Sequence, residues 1–124
     1  MNDLYHQQIL ELYKNPDHAG IIDDPTHTHT EGNASCGDEF TFYLKVGEDQ
    51  VIEEISFEGQ GCAISTASAS LLADHLKGKE VGDIKNLDQS FMEELIGVAD
   101  ISAGRIKCLT LPLKAIKNIV SSSQ

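Results

Sequence analysis

The order helix, then strands, then helices predicts an α+β fold: a three-stranded antiparallel sheet with helices packed on one face. Three observations carry that expectation. Apolar residues recur at helical spacing near the N-terminus, alternate with polar ones between residues 39 and 59, and return to helical spacing from residue 63 onward. Polar stretches and glycines separate the segments, and no repeat or linker divides the chain.

The first element is a helix over Leu4 to Tyr13, with Tyr5, Ile9, Leu12 and Tyr13 on one stripe. Asn2 or Asp3 caps it, and Asn15-Pro16 ends it, because a residue before proline disfavours the helical region. Asp17 to Pro25 reads as a surface loop. Thr26 to Gly32 alternates but is polar, which suits an edge strand. Glu39 to Val46 places Phe40, Phe42, Leu44 and Val46 on one face, and Gly47 to Gln50 reads as a hairpin connection. Val51 to Gly59 is apolar at 51, 55 and 57, so the sheet buries one face. A helix over Ala63 to Lys77 follows, with Ile64, Ala67, Ser68, Leu71, Leu72 and Leu76 sharing a face and Gly78 as its stop. A short helix is expected over Asp88 to Ile96. The last helix is expected over Thr110 to Val120, with Pro112 in its first turn, where a missing N–H costs nothing. The chain reads as a single domain over 1–124, with 121–124 a frayed tail.

Composition narrows the function. Nine basic against twenty acidic residues give a formal charge of −11, which phosphate backbones repel, so nucleic acid is excluded as a partner. Such a chain either docks on basic patches of a partner or carries its acidity simply for solubility. No apolar run approaches the ~18 residues of a membrane span, and Met1 to His6 carries no secretory pattern, so a cytoplasmic location is expected. Three cysteines, an odd number, argue against a disulfide framework and for reduced thiols.

In Cys36-Gly37-Asp38 an extended backbone would turn thiol and carboxylate to the same side, with Gly37 allowing close approach of a ligand. Cys62 stands at a strand-to-helix junction after Gly59-Gln60-Gly61, and free N–H groups at a helix N-terminus favour thiolate. Cys108 follows Arg105 and Lys107, two cations able to lower its pKa. All three cysteines are expected at the loop ends of regular elements. A lone cysteine is more often a small buried hydrophobe. The spacings, 26 residues from Cys36 to Cys62 and 46 from Cys62 to Cys108, match no local zinc motif. The residues alone leave a shared site and three core thiols both open.

The segments Asn33-Ala34-Ser35-Cys36-Gly37-Asp38, Glu58-Gly59-Gln60-Gly61-Cys62-Ala63-Ile64-Ser65 and Arg105-Ile106-Lys107-Cys108 resemble the IscU/SufU/NifU N-terminal type of iron–sulfur assembly scaffold. Leu4-Tyr5 through Tyr13-Lys14-Asn15-Pro16 and Lys77-Gly78-Lys79 are similar to it too, so the resemblance covers nearly the whole chain. It implies an IscU-like α+β fold and a transient [2Fe–2S] cluster, or Zn²⁺, held by Cys36, Asp38, Cys62 and Cys108. It also implies a pyridoxal-phosphate cysteine desulfurase of the IscS/SufS type as sulfur donor and apo iron–sulfur proteins as recipients. Thiolates suit both metals, and the harder carboxylate makes a more exchangeable ligand.

Two departures from the IscU branch matter. Lys107 stands where that branch has a histidine before the last cysteine. Ser102 to Lys107 replaces the Leu-Pro-Pro-Val-Lys motif that recruits an Hsp70 system, so the resemblance does not extend to that chaperone. Arg105-Ile106-Lys107-Cys108 looks instead like SufU, a zinc-bound persulfide acceptor, although the extra loop SufU carries between its second and third cysteines is absent. Three readings therefore stand: a non-enzymatic scaffold, a zinc-dependent sulfurtransferase with Cys108 as persulfide acceptor, and a purely structural zinc domain. His27 and His29 read as edge-strand surface, and His6, His18 and His75 as solvated. Lys107 is either a site neighbour or a surface cation, and the serine-rich helix as small-residue packing.

Overall fold

The computed structural model describes residues 3–33, 37–97 and 103–122. Its elements run α1 (Asp3–Lys14), β1 (His27–Asn33), β2 (Asp38–Val46), β3 (Ile52–Gln60), α2 (Ala63–Leu76), a 3-10 turn (Val81–Asn86), α3 (Gln89–Ile96) and α4 (Ala103–Ser122). The strands form one antiparallel sheet in the order β1-β2-β3, with β1 at the edge. Alternation on β2 buries Phe40, Phe42 and Leu44, which meet Ile55 and Phe57 of β3 and apolar residues of α2 and α4 in one core. The expected α+β architecture is the one observed.

The register of β3 departs from simple alternation. A bulge pairs Lys45 with Glu54 but Val46 with Ile52, so two residues of β3 span one step of β2. The inward face therefore switches parity, and Ile52 is buried where the sequence pattern had favoured Val51. Backbone bonds from Ile52 to Lys79 and from Gly78 to Ile52 hold the chain there.

The sequence also misplaced the start of α4. The helix begins at Ala103, so Arg105 to Cys108 is helical, and Pro112 lies in its interior. Propensity sets a boundary at proline because its ring removes one helical donor. Here burial of Leu109, Leu111, Leu113, Ala115, Ile116 and Ile119 outweighs that loss. The helix extends through Ser122, so residues 121 and 122 are not frayed.

The first half of α2 is buried from Ser65 to Ser70 on every side, while Ile64 and Leu71 are only half-buried. Small side chains let α1, β3 and α4 approach it together. On α1, Ile9 and Leu12 are core residues but Tyr13 is exposed; Tyr5 lies outside the residues whose side chains are described. Asp88 caps α3 through its carboxylate, which accepts from Phe91 N–H, and Gly97 ends it in the left-handed region. Among the described residues no helix is long and apolar enough to cross a membrane.

Candidate metal centre

Three elements deliver one donor each to the same end of the sheet. Asp38 opens β2, Cys62 caps α2 and Cys108 lies on α4. A carboxylate oxygen of Asp38 and the sulfurs of Cys62 and Cys108 all lie within 4.8 Å of one another. Cys36 lies outside the described residues.

Backbone approach makes this convergence possible. Gly59 sits at φ +135°, and a Cβ there would stand 2.1 Å from the Glu39 carbonyl oxygen. At Gly61 a Cβ would meet Ser65 Oγ at 2.4 Å and the Phe40 ring at 2.9 Å. These two glycines let the end of β3 lie against β2, which brings Cys62 beside Asp38. Cys62 N–H donates to Asp38 Oδ1 at 3.1 Å, fixing the carboxylate from one side.

Asp38 is 3% exposed, and its second oxygen, Oδ2, is buried with no donor among the described residues. An unsatisfied buried acceptor costs roughly 1–3 kcal/mol, and more when charged. A cation among the three donors would relieve that cost. One carboxylate oxygen with two sulfurs suits a soft or borderline metal such as zinc or iron. The donor set therefore fits the expected group.

The thiols differ. Cys62 is half-buried and Cys108 is 2% exposed. Burial pushes the Cys62 thiol up. Donation from the Ser65 backbone N–H, from the Ser65 hydroxyl and from the Cys108 thiol outweighs this, while the Asp38 charge opposes them. The net shift is downward. Ser65 N–H approaches the sulfur at 3.5 Å, as expected at a helix N-terminus.

The expectation that all three cysteines sit at loop ends holds for Cys62 and is corrected for Cys108, which is a buried helical residue. Lys107 is exposed and helps line a groove of about 360 Å³ with Gly32, Asn33, Thr110, Leu111 and Lys114. His27 and His29 are half-buried: their partners on β2 are Leu44 and Phe42, so they lie on the core-facing side at the sheet edge. His29 meets Glu31 at 2.8 Å, and Glu31 also accepts from Asn118 of α4 at 2.7 Å. His18 is half-buried on Asp74, and His75 packs on Phe91 with ring centroids 4.8 Å apart. The side chain of His6 is outside those described.

Sequence reasoning missed Ser65 and the Glu31–Asn118 tie. Ser65 had a signal, since it stands three residues after Cys62, where a helix N-terminus places a donor for its cap. The Glu31–Asn118 tie had none, because 87 residues separate the partners.

Residues 4–123 match the NifU-like N terminal domain family. The chain belongs to that family. A relative from Bacillus subtilis, a zinc-dependent sulfurtransferase SufU, is 32% identical over 140 residues, covering 100% of this chain and 94% of its own. An iron–sulfur cluster assembly scaffold protein IscU from Thermotoga maritima is 36% identical over 129 residues, covering 92% and 90%. In three dimensions the chain is similar to a candidate SUF-system iron–sulfur scaffold from Fervidobacterium islandicum. The TM-score is 0.81 at 28% identity, over 92% of this chain and 94% of that one.

Proposed function

We propose that this protein is an iron–sulfur cluster assembly scaffold. It receives persulfide sulfur from a cysteine desulfurase, holds a [2Fe–2S] cluster as cargo and passes it to apo-proteins. Cys36, Cys62 and Cys108 supply thiolates and Asp38 an oxygen. The observation that carries this reading is the convergence of Asp38, Cys62 and Cys108 within 4.8 Å, with one buried oxygen of Asp38 left without a donor among the described residues. The IscU relative supports it, and a mixed sulfur and oxygen donor set suits a group meant to leave.

Anaerobic purification with iron, acid-labile sulfide and zinc measured per chain tests the reading, alongside the visible spectrum. Equal iron and sulfide with charge-transfer bands, lost in Cys36→Ser, Cys62→Ser and Cys108→Ser, is the expected result. Reconstitution by all three variants as by the parent would end it.

A second reading has its own support in the SufU relative, which aligns along the whole chain, and in Arg105-Ile106-Lys107-Cys108. Zinc would then be resident, held by the same donors, and Cys108 would accept sulfur. One tightly held zinc without colour, with desulfurase turnover accelerated, favours it. No acceleration and no sulfur on Cys108 removes it.

A further inference from the structure

Charge is segregated along this chain. The first hundred residues hold all twenty acidic residues and five of the nine basic ones, a balance of −15. The remaining segment holds Arg105, Lys107, Lys114 and Lys117 and no acidic residue, a balance of +4, and all four cations lie on α4. A solvated face on so acidic a protein would be expected to carry acids too.

The cations are ordered. At 100° per residue, Lys107, Thr110, Lys114 and Lys117 fall on one face of α4, opposite the buried Leu109 and Ile116. From Lys107 to Lys117 the track runs about 15 Å. Three grooves follow it: about 360 Å³ beside Lys107 and Lys114, about 430 Å³ beside Lys114 and Lys117, and about 280 Å³ beside Lys117 and Lys85. Lys107 shares a helical turn with Cys108 but is exposed where Cys108 is buried, so the track starts level with the sulfur site on the outer side of the helix. Two acids face it. Glu31 approaches Lys114 at 3.7 Å, a long pair that leaves the lysine 66% exposed, and Asp88 lines the second groove.

We propose that this face of α4 is a docking surface for an acidic protein segment, one presenting carboxylates spaced over about three helical turns. Charge complementarity selects the occupant. Nucleic acid and anionic membranes extend well beyond 15 Å and would meet the −15 remainder, whereas a short acidic segment meets only the lysines. Repulsion from the acidic remainder favours approach along the lysine face of α4. The proposal does not depend on whether the site holds a cluster or zinc.

The test uses the full chain and a fluorescein-labelled helical peptide of about 15 residues with glutamates along one face. Anisotropy reads binding, and carbodiimide coupling followed by mass spectrometry maps it. Binding should weaken steadily between about 50 and about 300 mM salt, with cross-links on Lys107, Lys114 and Lys117. The double variant Lys107→Glu/Lys117→Glu, which keeps the Lys114–Glu31 pair, should lose at least about tenfold in affinity while circular dichroism stays unchanged. Lys45→Glu/Lys77→Glu, removing the same charge elsewhere, should bind like the parent. The proposal is overturned by absence of binding at low salt, by cross-links spread over Lys14, Lys45 and Lys77, or by equal loss in the control. Tighter binding of a single-stranded oligonucleotide to α4, or self-association of the chain through it, overturns it as well.

Discussion

Replacing Asp38 by asparagine tests the carboxylate's two contacts separately. Oδ1 accepts from Cys62 N–H at 3.1 Å, and an amide oxygen can do the same. Oδ2 is buried with no donor among the described residues, and the carboxylate lies within 4.8 Å of two sulfurs. In the metal-free protein the substitution keeps the bond to Cys62 and removes a buried charge, so unfolding stability should change by less than about 1 kcal/mol. With metal the balance differs. Zinc at about 100 times its dissociation constant stabilises a folded protein by about 2.7 kcal/mol. For a chain of this length that is a rise in Tm of roughly 8–13 °C. Losing a ligand should weaken binding at least about 100-fold, the upper end of what even outer-shell partners contribute. At the same zinc concentration the gain then falls to about 0.4 kcal/mol, or roughly 1–2 °C. Thermal melts of parent and Asp38→Asn, with and without zinc, read both effects. A variant that keeps the full zinc-dependent rise would show that Asp38 does not ligate. A metal-free variant destabilised by several kcal/mol would show that the carboxylate is structural.

Three further outcomes follow from the geometry. Ile52→Ala should cost about 2–5 kcal/mol in urea unfolding and Val51→Ala clearly less, because the bulge turns Ile52 inward; equal costs would deny the bulged register. Gly59→Ala should destabilise by more than about 3 kcal/mol or prevent folding, since its Cβ would stand 2.1 Å from the Glu39 carbonyl oxygen at a φ of +135°. Normal expression and stability of that variant would refute the close approach. Burial raises the Glu31 pKa, but donors His29 and Asn118 and the charge of Lys114 outweigh it, leaving the carboxyl below 4.5. Its contribution is therefore present above the unfolded pKa and lost as pH falls through the lower folded one. Stability of Glu31→Gln, followed by urea melts across that acidic window, should fall less steeply than the parent's; identical slopes would contradict the assignment.

The sequence carried the fold because its signals are local. Phe40, Phe42 and Leu44 alternate on β2, Cys62 stands where a cap belongs, and Asp88 and Gly97 bracket α3. It lost what depends on distant partners. The bulge at Lys45/Val46 has no mark in composition, so the parity of β3 came out one residue off. Pro112 drew the start of α4 too late because propensity cannot weigh the apolar contacts that hold a proline inside a helix. The same holds for His29, whose polar strand looked like open surface until α4 supplied Asn118 to cover Glu31. The candidate site divides likewise. The resemblance alone brought Asp38, Cys62 and Cys108 together, yet local reading put Cys108 at an accessible loop end and missed Ser65.

The site's backing and its donors are built on opposite principles. Behind the donors the chain is tightly fitted: Gly59 and Gly61 leave no room for a Cβ, Phe40 packs edge-on to Phe57, and Ser65 is fully buried. Among the donors the fold leaves an oxygen unsatisfied and two thiols in contact. Of the donors Cys108 is itself a buried core residue, but the apolar cluster running from α1 to α4 is built from many other side chains. Convergent thiolates repel until a cation joins them, and that alone would couple metal binding to folding. The closed core argues that this coupling is partial here, adding stability to a chain already folded rather than creating the fold. A site of that kind can release what it holds and keep its shape, which a structural zinc domain that unfolds on metal loss cannot do.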